Sequence, residues 1–200
     1  EASGTKTWKD NGNAYGTRPE SITINLLQNG TSITSKEVTA ADNWAYEFKD
    51  LPRYDANGKE YAYTITENEV ANYDTSVSGY NITNTLTGTT EVSGTKTWKD
   101  NGNAYGTRPT SITINLLQNG TSITSKEVTA ADDWKYSFIK LPKYDANGKE
   151  YTYTITENVV AGYVTEISGN DVINTLTGTT EISGTKTWKD NGDAYGTRPT

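Results

Sequence analysis

The chain repeats itself with a period of 90 residues. Residues 1–90 and 91–180 align without a gap and differ at 18 positions, and residues 181–200 repeat the opening of the same unit. A period this long corresponds to one folded domain per repeat, because a solenoid turn is much shorter. We therefore predict two domains, 1–90 and 91–180, followed by the opening segment of a truncated third repeat at 181–200. Near-identical tandem domains usually supply length or valency, and they seldom act on a diffusing substrate.

Composition removes several classes of function. The chain has no Cys and no His, so it lacks thiolate ligands, disulfides and the commonest general base; we expect no metal and no cofactor. Its formal net charge is −7, and an acidic surface disfavours nucleic acid and anionic membranes as partners. The absence of an initiator Met and of a signal peptide suggests a piece of a larger protein.

The small apolar content points to a covalent staple. Only 32% of the residues are hydrophobic, and a 90-residue domain with so small a core normally needs a disulfide, a metal or another crosslink. The composition supplies neither of the first two. The remaining possibility is a crosslink between other side chains.

Alternating polar and apolar residues predict strands throughout each repeat, and no apolar period of 3.6 residues lasts beyond one turn. Asn29-Gly30 is the strongest hairpin signal, and further turns are expected at Asn11-Gly12, Leu51-Pro52 and Asn57-Gly58. Seven short strands without a helix predict an all-β fold of tandem seven-stranded β-sandwiches. In the first repeat the strands are expected near 3–9, 21–28, 31–38, 43–49, 60–68, 72–78 and 80–86.

The alternation also assigns faces, because successive strand residues point to opposite sides of a sheet. The substitutions between the repeats agree with this assignment: Lys135, Ser137 and Ile139 replace three outward residues, while the inward aromatic residues of that strand are unchanged. The expected inward residues of the first repeat include Ile22, Ile24, Leu26, Trp44, Tyr46, Phe48, Tyr73, Thr75 and Val77.

The same rule places three polar side chains of each repeat in the core. Lys6 shares its face with Trp8, Glu67 ends the inward row of its strand, and Asn84 lies between two inward apolar residues. The second repeat has the same three residue types at the same places: Lys96, Glu157 and Asn174. Burying an ammonium, a carboxylate and an amide costs several kcal/mol unless they satisfy one another.

Two interpretations of this trio remain open at this point. One is a buried Lys–Glu ion pair that is hydrogen-bonded to the asparagine. The other is covalent. A desolvated lysine loses its proton readily and becomes a nucleophile, and a desolvated carboxylate gains a proton and becomes an acid. Such a pair, next to an asparagine carboxamide, could form an amide and release ammonia.

The motifs around these residues resemble those of the B-type domains of Gram-positive collagen adhesins (CnaB domains). The resemblance covers nearly all of both repeats. The second repeat has Gly162-Tyr163 where the first has Asn72-Tyr73, and its closing motif is Val172-Ile173-Asn174. In the first repeat the matching segments are Gly4-Thr5-Lys6-Thr7-Trp8, Leu51-Pro52-Arg53-Tyr54-Asp55, Tyr63-Thr64-Ile65-Thr66-Glu67, Tyr73 and Ile82-Thr83-Asn84-Thr85.

This resemblance implies a transthyretin-like or inverse immunoglobulin sandwich with a self-formed Lys–Asn isopeptide bond and a catalytic Glu. In the first repeat these residues would be Lys6, Asn84 and Glu67. In the second repeat they would be Lys96, Asn174 and Glu157. Lys186 of the third copy has no Glu or Asn partner at the corresponding positions and is expected to stay unpaired within this chain.

The expected function is therefore structural. The repeats would form the stalk of a cell-wall-anchored adhesin or pilus-like protein on the bacterial surface, and the only chemistry would be a single intramolecular turnover. Their partners would be neighbouring repeats. The alternative is a ligand-binding module that recognises a host matrix protein or glycan, which an outward aromatic cluster or an open strand edge would favour. Asp10-Asn11-Gly12-Asn13 and Asp55-Ala56-Asn57-Gly58 resemble pieces of calcium loops but are interpreted as Asn-Gly turns.

Overall fold

The computed structural model describes all 200 residues and contains two β-sandwiches that follow one another along the chain. The strands of the first are β1 (Ala2–Lys9), β2 (Ser21–Gln28), β3 (Thr31–Thr39), β4 (Ala45–Phe48), β5 (Tyr63–Glu67), β6 (Tyr73–Ser78) and β7 (Asn81–Leu86). Those of the second are β8 (Thr89–Lys99), β9 (Ser111–Gln118), β10 (Thr121–Thr129), β11 (Lys135–Pro142), β12 (Tyr153–Glu157), β13 (Tyr163–Ser168) and β14 (Asp171–Leu176).

Each sandwich pairs a four-stranded sheet with a three-stranded sheet. The strand orders are β4-β1-β7-β6 and β3-β2-β5 in the first sandwich, and β11-β8-β14-β13 and β10-β9-β12 in the second. The first and last strands of each unit are hydrogen-bonded neighbours that run parallel. All other pairs are antiparallel, so the terminal strands form the one parallel pair in each sandwich. The predicted all-β fold of tandem seven-stranded sandwiches is confirmed.

Turn chemistry explains the strand boundaries. Asn29 and Gly30 both have positive φ, 50° and 84°, as a two-residue type I′ turn requires, and they connect β2 to β3 as predicted. The strand expected from residue 43 begins only at Ala45. The reason is that Asn43 and Trp44 adopt left-handed conformations, with φ of 52° and 57°, after a short 3₁₀ turn at Ala40–Asp42.

The predicted inward faces form the core, with one exception. Thr75 and Val77 were expected to be inward but are exposed, and only Tyr73 of that row is buried. The row lies on β6, which is the edge of its sheet. Tyr73 at its start is covered by Trp8, Asp10 and Thr17, and the rest of the row is exposed. The buried apolar core of the first sandwich consists of Ala2, Ile22, Ile24, Leu26, Val38, Tyr46, Phe48, Ile65 and Ile82.

Residues 177–200 form no strand, and their one regular element is a 3₁₀ turn at Asn191–Asp193. Residues 181–189 nevertheless repeat the β1 sequence almost unchanged. In the complete repeats this sequence is a strand because it lies between β4 and β7, and residues 181–200 contain no counterpart of either. The structure has no helix that is long and apolar enough to cross a membrane.

Candidate functional site

A buried ion pair connects the two sheets of each sandwich. Lys6 lies on β1 of the four-stranded sheet, and Glu67 is the last residue of β5 in the opposite sheet. Lys6 Nζ donates a hydrogen bond to Glu67 Oε1, and both side chains are completely shielded from solvent. The second sandwich has the same arrangement, with 2.8 Å between Lys96 Nζ and Glu157 Oε1. The structure therefore brings together two of the three predicted site residues of each repeat as a direct contact.

The third predicted residue, Asn84, lies on the strand next to the lysine and faces the same core. In the parallel β1–β7 pair, Lys6 is opposite Ile82 and Trp8 is opposite Asn84, so lysine and asparagine are diagonal neighbours. Diagonal neighbours on adjacent strands are about 7–8 Å apart, which a long side chain can span. Asn174 has the same position relative to Lys96.

The carboxamide of Asn84 is buried without any hydrogen-bond partner in the protein. Its relative exposure is 0%, and both Oδ1 and Nδ2 are unpaired; the same is true of Asn174. A buried polar group left unpaired costs roughly 1–3 kcal/mol. Each repeat therefore holds a costly, unused carboxamide on the strand beside a buried ion pair, which distinguishes this site from a fully satisfied polar cluster.

The surroundings of the lysine make it easier to deprotonate than a lysine in water. Burial lowers the pKa of Lys6, and the hydrogen bond and charge of Glu67 only partly oppose this shift. The pKa of Lys96 is lowered for the same reasons. Lys6 Nζ also lies 4.3 Å from the centre of the Trp8 ring, so an aromatic face and a carboxylate surround the amine.

Thr75, on the edge strand β6, contacts the same carboxylate. Its hydroxyl donates to Glu67 Oε2 at 2.9 Å, while Lys6 occupies Oε1. In the β6–β7 pair Thr75 lies opposite Asn84, so one residue touches the acid and is paired with the asparagine. Thr165 makes the equivalent contact with Glu157 at 2.7 Å. We did not identify this residue from the sequence, although its inward parity was the available signal.

A second polar cluster packs against Trp8. Asp10 is fully buried and accepts two hydrogen bonds from Arg18, at 2.8 and 2.6 Å, and one from the Tyr73 hydroxyl at 3.1 Å. The Arg18 guanidinium lies 5.2 Å from the centre of the Trp8 ring. Burial alone would raise the pKa of Asp10, but the hydrogen bonds from Arg18, the Asn13 amide and Tyr73 outweigh it and lower that pKa. Asp10 shares the parity of Lys6, a signal that sequence analysis did not use.

The Asp10 turn is a structural turn, as predicted. Asn11, Gly12 and Asn13 all have positive φ, and the Asp10 carboxylate accepts from the Asn13 amide. Arg18 donates a hydrogen bond to each carboxylate oxygen of Asp10, so the acidic residue of this motif has a structural role as the partner of Arg18. The turn around Gly58 is likewise formed, with a φ of 79° at the glycine.

Lys186 of the third copy has a different environment. Its side chain is exposed, and Nζ contacts only the backbone oxygen of Thr187, at 3.4 Å, and the face of Trp188. No carboxylate approaches it within salt-bridge distance. The arrangement that surrounds Lys6 and Lys96 therefore occurs in the two complete repeats and not in residues 181–200.

Comparison with known proteins agrees with this repeat organisation. The family model described as "Cna protein B-type domain" matches residues 2–85 and again residues 92–175. The chain belongs to the Cna protein B-type domain family. This confirms the resemblance seen in the motifs of the two repeats.

Relatives of these Cna B-type domains include a collagen adhesin of Staphylococcus aureus. It is 40% identical over 206 residues, covering 98% of this chain and 17% of the relative's own length. A solved structure of a single B repeat unit of the S. aureus collagen-binding protein is 39% identical, covers 88% of this chain and 98% of that one, and has a TM-score of 0.43. A structure of two such units is 38% identical, covers 99% of this chain and 55% of that one, and has the same TM-score.

Proposed function

We propose that these repeats form the stalk of a bacterial surface adhesin, and that a Lys–Asn isopeptide bond closes each repeat. The pairs would be Lys6–Asn84 and Lys96–Asn174, with Glu67 and Glu157 as the catalytic acids. The observation that carries the proposal is the unpaired, fully buried carboxamide on the strand beside a buried Lys–Glu pair. A merely structural ion pair gives no reason to bury that carboxamide.

The proposed reaction is balanced within the trio. Proton transfer from the Lys6 ammonium to the Glu67 carboxylate leaves a neutral amine and a neutral acid. The amine nitrogen attacks Asn84 Cγ while the acid polarises the Oδ1 carbonyl. A new C–N bond forms and the original C–N bond of the carboxamide breaks. The departing NH2 group takes one of the two protons released by the lysine and leaves as ammonia, while the other proton stays on Glu67. Each site reacts once, so the repeat is not an enzyme that turns over.

The strand order supports a mechanical role. Tension along the chain enters a repeat through β1 and leaves through β7, and these parallel neighbours would be sheared past one another. A bond between Lys6 and Asn84 joins these two strands directly. The 77 residues between them, from 7 to 83, would then be bypassed by the load. The same bond closes a loop in the unfolded chain, which by analogy with a disulfide of this span contributes about 4–5 kcal/mol.

The relatives support a setting for these repeats. A collagen adhesin contains a region 40% identical to this chain, and the chain spans 17% of its length. We infer an extracellular position on the surface of a Gram-positive cell, in a parent protein anchored to the cell wall, with any host matrix protein or glycan bound by other domains of that parent. Each 90-residue repeat, 1–90 and 91–180, would be one unit of the stalk, and 181–200 the opening of the next.

The intact mass of the folded protein tests the proposal. Each bond releases one ammonia, so two bonds lower the mass by ~34 Da relative to the sequence. Peptide mapping should then find Lys6 linked to Asn84 and Lys96 linked to Asn174. The unmodified mass in aged, folded protein would contradict the covalent proposal and leave a buried ion pair.

A further inference from the structure

The two sandwiches contact each other through two turns. One is the turn that follows β1, at residues 10–16, and the other is the turn between β11 and β12, at residues 143–150. The Glu150 amide donates to the Tyr15 hydroxyl oxygen at 2.8 Å, and the Asn11 amide donates to the Asn147 carbonyl at 3.2 Å. The rings of Tyr15 and Tyr144 pack with their centres 5.3 Å apart.

A glycine makes the close approach possible. Gly148 lies directly against the backbone of the first repeat: a Cβ at this position would be 2.3 Å from the Lys9 carbonyl oxygen and 2.5 Å from Asp10 Cα. Any side chain would therefore push the two repeats apart. Gly58, the counterpart in the first repeat, has almost the same φ, 79° against 75°, but has no atom within 4 Å of that position. The contact at Gly148 belongs to the joint between repeats, since the turn itself forms without it.

The connecting chain is also ordered. Thr89 and Thr90 are the first residues of β8 and pair with Pro142 and Leu141 of β11. The Lys143 amide donates to the Gly88 carbonyl at 2.9 Å. The residues between the sandwiches are therefore held by the same segment of the second sandwich that contacts Tyr15, which leaves little free linker.

Both turns have the same backbone conformation in the copies that contact no neighbouring repeat. Tyr105 is the counterpart of Tyr15, and its turn has nearly the same backbone, with φ of 54°, 65° and 61° at residues 101–103 against 54°, 67° and 60° at residues 11–13. Tyr105 is nevertheless 69% exposed, because nothing docks on it. A surface that is already formed loses little conformational entropy on docking, which favours a single orientation.

We propose that the Tyr15 turn and the Tyr144 turn form a docking joint whose partner is the adjacent repeat of the same chain. The joint holds consecutive repeats at one orientation, so that the array resists bending as well as stretching. It does not rest on the isopeptide bond, because none of its contacts involves the side chains of Lys6, Glu67 or Asn84.

The test measures the distance distribution between spin labels on the two repeats. The chain has no Cys, so Thr31→Cys and Thr121→Cys, at exposed equivalent positions, place one label on each repeat. We expect one narrow distance in the otherwise unchanged protein. Tyr15→Ala and Gly148→Ala should at least double the width of the distribution, and Gly148→Ala should also shift its centre. The matched controls Tyr105→Ala and Gly58→Ala change the same residue types in turns without a partner and should leave the width unchanged.

Amide hydrogen exchange provides a second measurement that does not depend on labels. Tyr15→Phe keeps the ring but removes the oxygen that accepts from the Glu150 amide, so exchange at Glu150 should become at least tenfold faster. Tyr105→Phe should leave it unchanged. A broad distribution in the unsubstituted protein, or equal effects of the Tyr15 and Tyr105 variants, would overturn the joint. Either result would leave the mass test of the crosslinks untouched.

Discussion

Lys96 Nζ lies 2.8 Å from Glu157 Oε1, and neither side chain is exposed to solvent. Removing one partner of such a pair leaves an uncompensated charge in the core. This typically lowers the stability of the fold by about 3–5 kcal/mol. The pair also crosses from one sheet of the sandwich to the other. The packing of the two sheets therefore holds the acid against the amine. Replacing the acid tests its role in the proposed reaction.

Glu67→Gln should prevent crosslinking in the first repeat alone. The amide cannot accept the lysine proton or return one, so the mass deficit should fall from ~34 to ~17 Da, with Glu157 still active in the second repeat. The first repeat should unfold at a lower temperature and become sensitive to trypsin. Glu60→Gln, which alters an exposed ion pair with Arg53, is the control and should retain the full deficit. Loss of both ammonias from Glu67→Gln would disprove the assigned role.

Thr75→Val should slow bond formation in the first repeat. The substitution keeps the shape of the side chain but removes the hydroxyl that orients Glu67 Oε2. Because hydrogen bonds to charged groups contribute about 1.5–3 kcal/mol, we expect a decrease of about tenfold in the rate of ammonia loss after refolding. The second repeat keeps Thr165, so its rate of ammonia loss is the internal reference.

Two variants separate positioning by Thr75 from a general effect on folding. Thr75→Ser keeps a hydroxyl and should restore most of the rate. Ser76→Ala alters an exposed neighbour on the same edge strand and should leave the rate unchanged. If Thr75→Val forms the bond as fast as the second repeat does, Thr75 does not position the acid.

Stretching single molecules should distinguish crosslinked from uncrosslinked repeats. The intact protein should show no full unfolding step, because the proposed bond between β1 and β7 would carry the load past residues 7–83. Replacing Lys6 and Lys96 by Ala should produce two steps, each with a contour gain set by 90 residues at ~3.3–3.6 Å per residue. Full-length steps from protein of the crosslinked mass would refute the mechanical role. Replacing Lys9 and Lys99 by Ala, on the same strands but facing outward, is the control.

Acid should weaken the cluster around Trp98. The hydrogen bonds and charge of Arg108 hold the pKa of Asp100 well below its usual range. A carboxyl group with a lowered folded-state pKa stabilises the fold fully above its unfolded value, about 3.9, and this contribution is lost as the pH falls further. The difference in melting temperature between the unchanged protein and Asp100→Asn should therefore be constant from pH 5 to 8 and shrink below pH 4.

The control for this pH dependence is Asp74→Asn, which changes an exposed carboxylate without an ion pair. Its melting temperature should follow that of the unchanged protein across the range. A gap for Asp100→Asn that persists unchanged to pH 2 would show that the ion pair with Arg108 does not supply the stability.

Local rules were enough to predict much of this protein. The 90-residue period, the Asn29-Gly30 hairpin and the alternation along β2 and β4 depend on residues close in sequence, and the structure confirms the resulting strands and core faces. Alternation also predicted the burial of Lys6 and Asn84, because each lies in an inward-facing row of its strand. For Thr75 and Val77 the parity rule predicted the right face of the strand but not their exposure, because parity does not reveal which strand is an edge.

The sequence by itself thus determined the repeat, the fold class and the polar residues that enter the core. Only the tertiary structure decided which of them meet. Glu67 reaches Lys6 from the opposite sheet across 61 residues, Thr75 reaches Glu67 from an edge strand, and Tyr15 reaches Glu150 across 135 residues. Such contacts depend on how sheets stack and how sandwiches dock. The alternation within one strand determines which face a side chain lies on, but not which residue of another strand or domain it contacts. Sheet stacking and sandwich docking therefore cannot be predicted from it.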